Sequence, residues 1–307
     1  METGKPQISI LMAVYEPKPD WLREQLESLE AQTYPNLRLY IRDDCSPAVP
    51  FGAIKQLVQE CIRSFPYEIH RNKENLGSNL TFQQLTEEAE GAYFAYCDQD
   101  DVWLPEKLTV LQEELERSGA QLACSDMYII NAEGEIIADS IRKMRRRHRF
   151  HSGTGLAGEL LFHNFAAGCT MLVRAEAAKA AVPFCPYMVH DHYIALRSAV
   201  RGGILTVPSP MIRYRIHGGN QTGLLAGVVD KKSYGQVRIC DMDNRLRWLE
   251  ENAVWDEETR QILREGIAWA EARKRNWSGQ GGKMLIWKYR RFDPLFSLFE
   301  IFSAEVP

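Results

Sequence analysis

Short apolar runs alternate with helix-like segments through the first 131 residues, and this alternation constrains the fold more than any other feature of the chain. The apolar runs are ISILMAVYE (8–16), LRLYIRDD (37–44), YEIHRN (67–72), AYFAYCD (92–98) and QLACSDMYIIN (121–131). The segments with helical spacing are residues 21–32, about 51–64, 78–91 and 105–119. Because several of the apolar runs lack a polar face, they predict the buried strands of a mostly parallel sheet with helices around it, an α/β fold.

The pattern changes after residue 131. The segment NAEG (131–134), with apolar residues on both sides, predicts a hairpin, and residues 189–203 have helical spacing. Residues 203–223 predict an extended segment that ends in turns. From about residue 229 onward we expect two charged amphipathic helices, broken by SGQGG at 278–282.

Length and composition indicate a water-soluble enzyme. A chain of 307 residues suits one large α/β domain with an appendage, and we predict a catalytic domain over residues 1–225 and a C-terminal helical region over residues 226–307. The hydrophobic fraction of 45% is enough for a substantial core. A net charge of −4 argues against binding to nucleic acid.

Cysteine spacing and the start of the chain bear on the compartment. The seven cysteines are scattered and never form a CxxC pair, which indicates buried thiols instead of a disulfide framework or a zinc site. The first 20 residues lack the long apolar region of a signal peptide. No run approaches the roughly 20 apolar residues that cross a bilayer. We therefore expect a cytoplasmic protein.

Three carboxylates occupy four positions in YCDQDDVW, directly after the fourth predicted strand. Asp98, Asp100 and Asp101 repel one another, so a cation is expected between them. Ligands of open parallel sheets bind at the carboxyl ends of strands, and hard oxygen ligands there suit Mg²⁺ or Mn²⁺ with a substrate phosphate. One acid could instead cap the helix that begins near Pro105, but three acids exceed that need.

Two kinds of enzyme chemistry use such a site, and the first is phosphate hydrolysis. DQDDV fits the DxDx(T/V) pattern of haloacid-dehalogenase-like phosphatases, in which Asp98 would attack phosphate. That pattern normally follows the first strand of its domain, whereas here it follows the fourth, and no later acidic pair completes the phosphatase site. The phosphatase is therefore the less favoured interpretation. A non-catalytic protein of the same α/β fold that binds a nucleotide or a glycan is a further alternative.

Several motifs in order resemble those of family 2 glycosyltransferases, most closely the bacterial rhamnosyltransferase-like branch of O-antigen or capsule assembly. They are ISILMAVYE, IRDDCS, ENLGSNLTFQQ, YCDQDDVWLPEKL, HD at 190–191 and YRIHGGNQTG at 214–223, and the resemblance covers about residues 7–223. It implies a GT-A fold, a dTDP- or UDP-sugar donor, Mn²⁺ or Mg²⁺, and inversion at the anomeric carbon. It also implies a growing surface glycan as acceptor, linked to a polyprenyl diphosphate.

The resemblance assigns expected roles to single residues. Residues expected to bind the donor are Ala13, Val14, Tyr15, Glu16, Asp43, Asp44, Asn75, Gly77, Asp98, Gln99 and Asp100, with Asp43 or Asp44 on N3 of uracil or thymine. Asp100 and Asp101 are favoured as metal ligands, and His217 is a candidate ligand of metal or phosphate. Asn220 and Gln221 are candidate contacts to the diphosphate or the acceptor.

Asp191 matches the position of the general base that an inverting transfer requires. By itself it could equally be an acid placed at a helix start, where the dipole favours it. The segment YRIHGGNQTG downstream tips the balance, because the family places its base just before such a segment. Many relatives have Glu-Asp where this chain has His190 and Asp191, so the role of His190 is open.

Two further motifs are less informative. GTGLAG (153–158) matches GxGxxG but follows a basic run, so we expect a loop that enters a helix and no nicotinamide chemistry. The basic run 142–151 and the C-terminal WKYRRFDPLFSLFEIF could contact anionic lipid. A solvated loop for the former, and packing on the catalytic domain for the latter, are the simpler expectations.

Overall fold

The chain divides into two compact units. This computed structural model describes residues 4–145, 148–218 and 228–302. The first unit holds the described residues up to Leu156 together with Asn164–Phe184 and His190–Gly218. The second holds Ala157–His163, Cys185–Val189 and the described residues after 227. The boundary predicted at residue 225 differs from this division, because two short segments from before that boundary belong to the second unit.

A mixed sheet forms the first unit. Its strands in the described part of the chain, β1 to β9 in chain order, are Ile8–Val14, Leu37–Asp43, Tyr67–Arg71, Tyr93–Cys97, Val102–Trp103, Leu122–Ile130, Ile136–Ala138, Met171–Arg174 and Ile204–Arg215. Their order across the sheet is β3-β2-β1-β4-β8-β6-β9-β5, with β7 beside β6. Strands β3, β2, β1 and β4 are mutually parallel, and β9 is parallel to β6. Strand β8 runs antiparallel to both of its neighbours.

The helices account for most of the remaining described chain. Helices α1 to α13 are Pro19–Glu30, Phe51–Cys61, Ser78–Glu88, Lys107–Ser118, Ile141–Met144, Ala157–Leu160, Ala175–Lys179, His190–Arg201, Lys231–Tyr234, Asp241–Asn252, Glu257–Trp277, Lys283–Lys288 and Pro294–Phe302. Gly168–Thr170 and Arg290–Phe292 form 3₁₀ turns, and Gly235–Cys240 is a π-helical segment. Among the described helices, none combines the length and the apolar character needed to cross a membrane.

Most of the apolar runs become strands that are covered on both faces. In β1 the consecutive residues Ile10, Leu11 and Met12 are all fully buried, and because successive side chains of a strand point to opposite faces, both faces of β1 are covered. Helix α1 packs with Leu22, Leu26 and Leu29, which lie on one side of the helix at spacings of four and three residues. The five strands predicted in the first 131 residues are confirmed, as is the hairpin, since β6 and β7 pair across the turn at 131–134.

The second unit contains a buried ion pair. The Arg273 guanidinium donates to both carboxylate oxygens of Glu300, at 2.8 and 2.6 Å, and Tyr234 donates its hydroxyl to the same carboxylate at 2.8 Å. Both partners of the pair are almost fully buried. Because a buried charge is costly without its partner, these bonds fix α13 against α11 in one orientation. The two charged helices predicted after residue 229 are α10 and α11, and the break at 278–282 is also confirmed.

Candidate active site

The loop after β4 lies beside the turn after β1, because these two parallel strands are neighbours in the sheet. Gln99 in that loop donates its side-chain amide to the Tyr15 carbonyl at 3.0 Å and accepts from the Tyr15 amide at 2.8 Å. The side chain of Gln99 therefore pairs with the backbone as another strand would. Two residues expected to bind the donor are thus in contact, and the Tyr15 ring is left substantially exposed.

Asp100 faces His217. The Asp100 Oδ2 and His217 Nε2 atoms are 2.6 Å apart, and both side chains are partly exposed. The imidazole lies against the ring of Trp21, with ring centroids 4.9 Å apart. An oxygen and a nitrogen ligand atom therefore meet at the carboxyl end of β4, accessible to solvent and held by an aromatic neighbour. This donor set fits a borderline divalent cation such as Mn²⁺.

Asp101 is turned to a different partner. Its carboxylate is fully buried, and Oδ1 accepts a hydrogen bond from the Arg215 amide at 2.9 Å. Within the described part of the chain, no hydrogen-bond partner is recorded for Oδ2. Asp101 and Asp100, adjacent in sequence, therefore lie in different surroundings.

Arg215, at the end of β9, holds this loop in place. Its Nε donates to the Asp100 carbonyl at 2.9 Å and its Nη1 donates to the Ala132 carbonyl at 3.0 Å. The guanidinium also pairs with Glu24 of α1 and lies over the Trp21 ring. Sequence reasoning did not single out Arg215, although it stands in the YRIH segment that carried the resemblance. Its contacts span segments that are distant in the chain, so periodicity gives no signal for them.

A cluster of the partly buried Asp98 with the fully buried Asp101 and Cys169 lies behind the loop. One ligand-type atom each from Asp98, Asp101 and Cys169 lies within 4.8 Å of the others. Burial, reinforced by the charge of Asp100, raises the pKa of Asp98 to about 7, and burial raises the pKa of Asp101 well above its usual range. Lys107 donates to the Cys169 carbonyl at 2.5 Å, and burial lowers the pKa of this lysine to about 7. The cluster is therefore short of water and rich in acid groups.

Asp191 stands in the first turn of α8 with its carboxylate held on both oxygens. Gly168 donates its amide to Oδ2 at 2.9 Å, and Asn164 donates its side-chain amide to Oδ1 at 3.1 Å. Burial nevertheless raises the pKa of Asp191 to about 6. The charge of Asp191 is close enough to Asp98 to raise the pKa of Asp98 in turn. Asn164 and Gly168 were not predicted, because nothing in their sequence pattern marks them.

His190 is packed behind this carboxylate. Its ring stacks on Phe82 with centroids 4.1 Å apart and lies 5.4 Å from the Tyr96 ring. In the described part of the molecule its Nε2 has no hydrogen-bond partner. Burial lowers the pKa of His190 to about 3, so the ring is neutral at physiological pH.

His190 should make the protein sensitive to acid. Its folded pKa lies below the unfolded value of about 6.5, so the unfolded chain binds the extra proton and stability falls as pH drops below that value. One such group contributes about 1.4 kcal/mol per pH unit. When the pH is lowered from about 7 to about 5, the unfolding free energy of His190→Phe should therefore fall by about 2 kcal/mol less than that of the wild type. Urea titrations at the two pH values measure this difference. His70→Phe is the matched control, because His70 is exposed. An equal fall in unfolding free energy at low pH in the wild type and both variants would refute the expectation.

Asp43 and Asp44, the acids expected to bind the nucleotide base, form hydrogen bonds that hold nearby loop residues in place. Asp44 accepts from the amides of Leu76 and Gly77, each at 2.8 Å, and so holds the loop that precedes α3. Asp43 is fully buried and accepts the hydroxyl of Ser46 at 2.6 Å. Gly77 has a φ of +80°, a conformation that suits glycine.

The remaining predicted residues occupy varied positions. Glu16 accepts the amides of Ala48 and Val49 at 2.7 and 3.2 Å. Ala13 lies in β1 and Asn75 is exposed in the loop before α3. Asn220 and Gln221 lie outside the described residues. GTGLAG leads into α6, as expected for a loop that enters a helix.

Residues 9–180, more than half of the chain, match the sequence profile described as Glycosyl transferase family 2. The chain belongs to glycosyl transferase family 2. This membership covers the loop after β4 and the segment with Gly168, and it supports the family resemblance seen in the motifs. It gives no support to the phosphatase alternative.

Curated relatives match this family 2 chain over part of their length. An uncharacterized glycosyltransferase of Methanocaldococcus jannaschii is 28% identical over 140 residues, which are 45% of this chain and 47% of that protein. A Bacillus subtilis protein, named for a glycosyltransferase role in teichuronic acid biosynthesis, is 30% identical over 123 residues, 39% of this chain and 46% of that protein. The chain spans less than half the length of either relative.

Solved structures share the fold of this family 2 chain. Staphylococcus aureus TarS 1–349 in complex with UDP-GlcNAc superposes with a TM-score of 0.63 at 15% identity, covering 96% of this chain and 90% of that chain. A mannosyltransferase from Pyrobaculum calidifontis in complex with GDP-Man and Mn²⁺ gives a TM-score of 0.61 at 13% identity, covering 96% and 80%. The likeness concerns the α/β fold, with its mixed sheet flanked by helices.

Proposed function

We propose that this chain is an inverting glycosyltransferase that moves a sugar from a nucleotide diphosphate to a hydroxyl group of a surface glycan. The observation that carries the proposal is the placement of Asp191, a fixed carboxylate of raised pKa whose charge acts on Asp98 in the loop after β4. A general base and an acidic donor loop are the two parts that the reaction needs.

The donor proposed is a dTDP- or UDP-sugar, and the acceptor a polyprenyl-diphosphate-linked glycan. The rhamnosyltransferase-like motifs support a deoxyhexose or hexose as the transferred sugar. The Bacillus relative, named for teichuronic acid biosynthesis, supports a role in surface polysaccharide assembly. The complexes of TarS and of the mannosyltransferase with UDP-GlcNAc and GDP-Man support a nucleotide-sugar donor.

Asp100 and His217 are the proposed metal ligands. Their ligand atoms approach to 2.6 Å and both side chains reach solvent, whereas Asp101 is buried on the Arg215 amide. A bound Mn²⁺ or Mg²⁺ would stabilise the charge that develops on the diphosphate leaving group. Asp101 is therefore better suited to fixing the end of β9 than to binding metal, a refinement of the pair favoured from sequence.

Asp191 is proposed to remove the acceptor proton. A carboxylate has about four lone-pair directions, so the bonds from the Gly168 amide, the Asn164 side chain and the His192 amide leave capacity for one acceptor hydroxyl. These three bonds also fix the orientation of the carboxylate before the acceptor binds, which limits the reorganisation needed in the transition state. The raised pKa makes the carboxylate a better proton acceptor than an exposed aspartate would be.

The rate of transfer should therefore depend on pH in a defined sense. Only the ionised form of Asp191 accepts a proton, and its pKa is raised to about 6. We expect kcat/KM to rise tenfold per pH unit below about pH 6 and to level off above it. The profile should be measured at saturating metal, so that proton competition at the metal ligands does not contribute. A profile that stays flat through pH 6 would exclude Asp191 as the base.

The function itself is tested by presenting nucleotides and sugars to the purified chain. UDP, dTDP, GDP, CMP and inorganic phosphate are each added with and without Mn²⁺ while the unfolding temperature is followed. A metal-dependent rise with UDP or dTDP, and slow hydrolysis of the matching sugar nucleotide, are the expected results. A rise with phosphate alone would instead favour a phosphatase, for which Asp98→Asn should abolish a phosphoenzyme.

A further inference from the structure

The outer side of α12 and α13 is apolar and exposed. Met284 and Trp287 of α12, and Leu295, Leu298 and Phe302 of α13, form a set that we call the α12–α13 face. Met284 and Phe302 are 88% and 76% exposed, values far above those of side chains packed in a core. The three positions on α13 follow the i, i+3, i+7 spacing of one helix side. Exposed apolar residues grouped on one side of a helix mark a candidate surface for contact with another molecule or a membrane.

The α12–α13 face cannot turn inward, because the opposite side of α13 is anchored. Glu300 holds Arg273, and its carbonyl accepts the side-chain amide of Asn276 at 2.8 Å. Ser297 accepts the indole N–H of Trp269 at 3.2 Å, and Phe296 is buried beside Tyr234. Rotating α13 would break a buried ion pair, so the apolar side remains exposed in the folded unit.

Cations border this face. Lys283, Lys288 and Arg290 are exposed, and no ion pair is recorded for them within the part of the chain that the structure describes. The neighbouring Arg291 pairs with Glu265, and Asp293 pairs with Arg238. The border therefore has a local positive charge, although the whole chain carries −4.

Two of the cations that border the α12–α13 face lie close to aromatic rings. The guanidinium of Arg290 lies 4.2 Å from the centroid of the Trp287 ring, and the Lys288 ammonium lies 4.7 Å from that of Tyr289. Tryptophan and tyrosine with adjacent cations are favoured at the level of lipid headgroups, where one side of the ring is apolar and the other wet.

We propose that the α12–α13 face docks on the surface of an anionic lipid bilayer. The apolar side chains would enter the boundary between headgroups and acyl chains while Lys283, Lys288 and Arg290 pair with lipid phosphates. A second copy of the chain fits less well, because an isologous contact would bring the same three cations to both sides. The inference goes beyond the proposed reaction and does not depend on it.

Vesicle flotation tests the docking. The purified chain is mixed with vesicles of phosphatidylcholine alone or with phosphatidylglycerol added, at low and at high salt. We expect binding to the anionic vesicles that weakens with salt. Lys288→Glu and Arg290→Glu should each weaken it by about fivefold or more, and Leu298→Glu should abolish it. Far-UV circular dichroism and the unfolding temperature report whether each variant folds.

Two matched controls make the result specific. Val254→Glu adds the same charge at another exposed apolar residue of the second unit, and Lys55→Glu makes the same charge reversal at an exposed lysine of the first unit. Both should bind as the wild type does. The proposal is overturned by equal binding to neutral and anionic vesicles, by no binding, or by loss of binding in the controls as well. A concentration-dependent dimer that Leu298→Glu dissolves, without vesicle binding, would assign the face to a second copy.

Discussion

Asp191→Asn is expected to lower kcat by about 10²–10⁴-fold and to leave donor binding nearly unchanged, since this is the range that general-base catalysis contributes. The asparagine side chain keeps one oxygen that can accept from the His192 amide and the Asn164 side chain, so the start of α8 should keep its structure while the Gly168 amide loses its acceptor. What it loses is the ability to take up a proton. A selective loss of kcat therefore separates a catalytic base from an acid that merely begins a helix.

The Asp191 experiment needs both a kinetic and a binding readout. Transfer is followed with the sugar nucleotide identified in the nucleotide screen, and donor affinity is followed by the metal-dependent change in unfolding temperature. Asp256→Asn is the matched control, because Asp256 is the N-cap residue of α11 and asparagine caps a helix about as well. Unchanged kcat in Asp191→Asn, with donor turnover intact, would assign the proton to another group. Donor binding without any turnover in the wild type would favour a non-catalytic binding protein.

Asp100→Asn is expected to remove the metal-dependent donor response and to lower transfer by about 10³-fold, because a metal contributes several kcal/mol of charge stabilisation at a diphosphate. The amide is a weaker ligand than the carboxylate, and it also alters the 2.6 Å contact with His217. Isothermal titration of Mn²⁺ in the presence of UDP or dTDP measures the loss of affinity directly.

The neighbouring residue supplies the control for that experiment. Asp101→Asn makes the same chemical change one position later, and its amide oxygen can still accept from the Arg215 amide. If Asp100 and His217 hold the metal, Asp101→Asn should keep most of the Mn²⁺ affinity. The reverse result, with affinity lost in Asp101→Asn and kept in Asp100→Asn, would return the metal to the cluster of Asp98, Asp101 and Cys169.

The sequence predicted the longer strands and the hairpin that contains β7, and missed the short strands β5 and β8. Strand β1 is a continuous apolar run because helices cover both sides of it, and a run of that length is visible without a structure. Strand β8 has only four residues, MLVR, and runs antiparallel between β4 and β6, where no local period marks it. The segments 157–163 and 185–189 join the second unit through tertiary contacts, which no local pattern reveals.

The site was predictable to the level of strand ends and no further. The carboxyl ends of β1 and β4 meet because the strands are parallel neighbours, so Tyr15, Gln99 and Asp100 were expected near one another. Which of the three aspartates stays accessible depends on where the end of β9 falls. Arg215 selects Asp101 for burial through a pairing that no periodicity encodes.

Arg215 also determines when this site can exist. The residue joins Glu24 across 191 positions of sequence, and two residues later His217 meets Asp100 across 117 positions. Contacts between such distant segments form late in folding, because closing a long loop costs chain entropy before the contacts stabilise the fold. During synthesis the chain will therefore carry its acidic motif for many residues before that motif has a structure, and the metal pair will assemble only once β9 has emerged and docked beside β6. Slow steps in refolding should accordingly delay metal binding more than they delay the formation of β1 to β4.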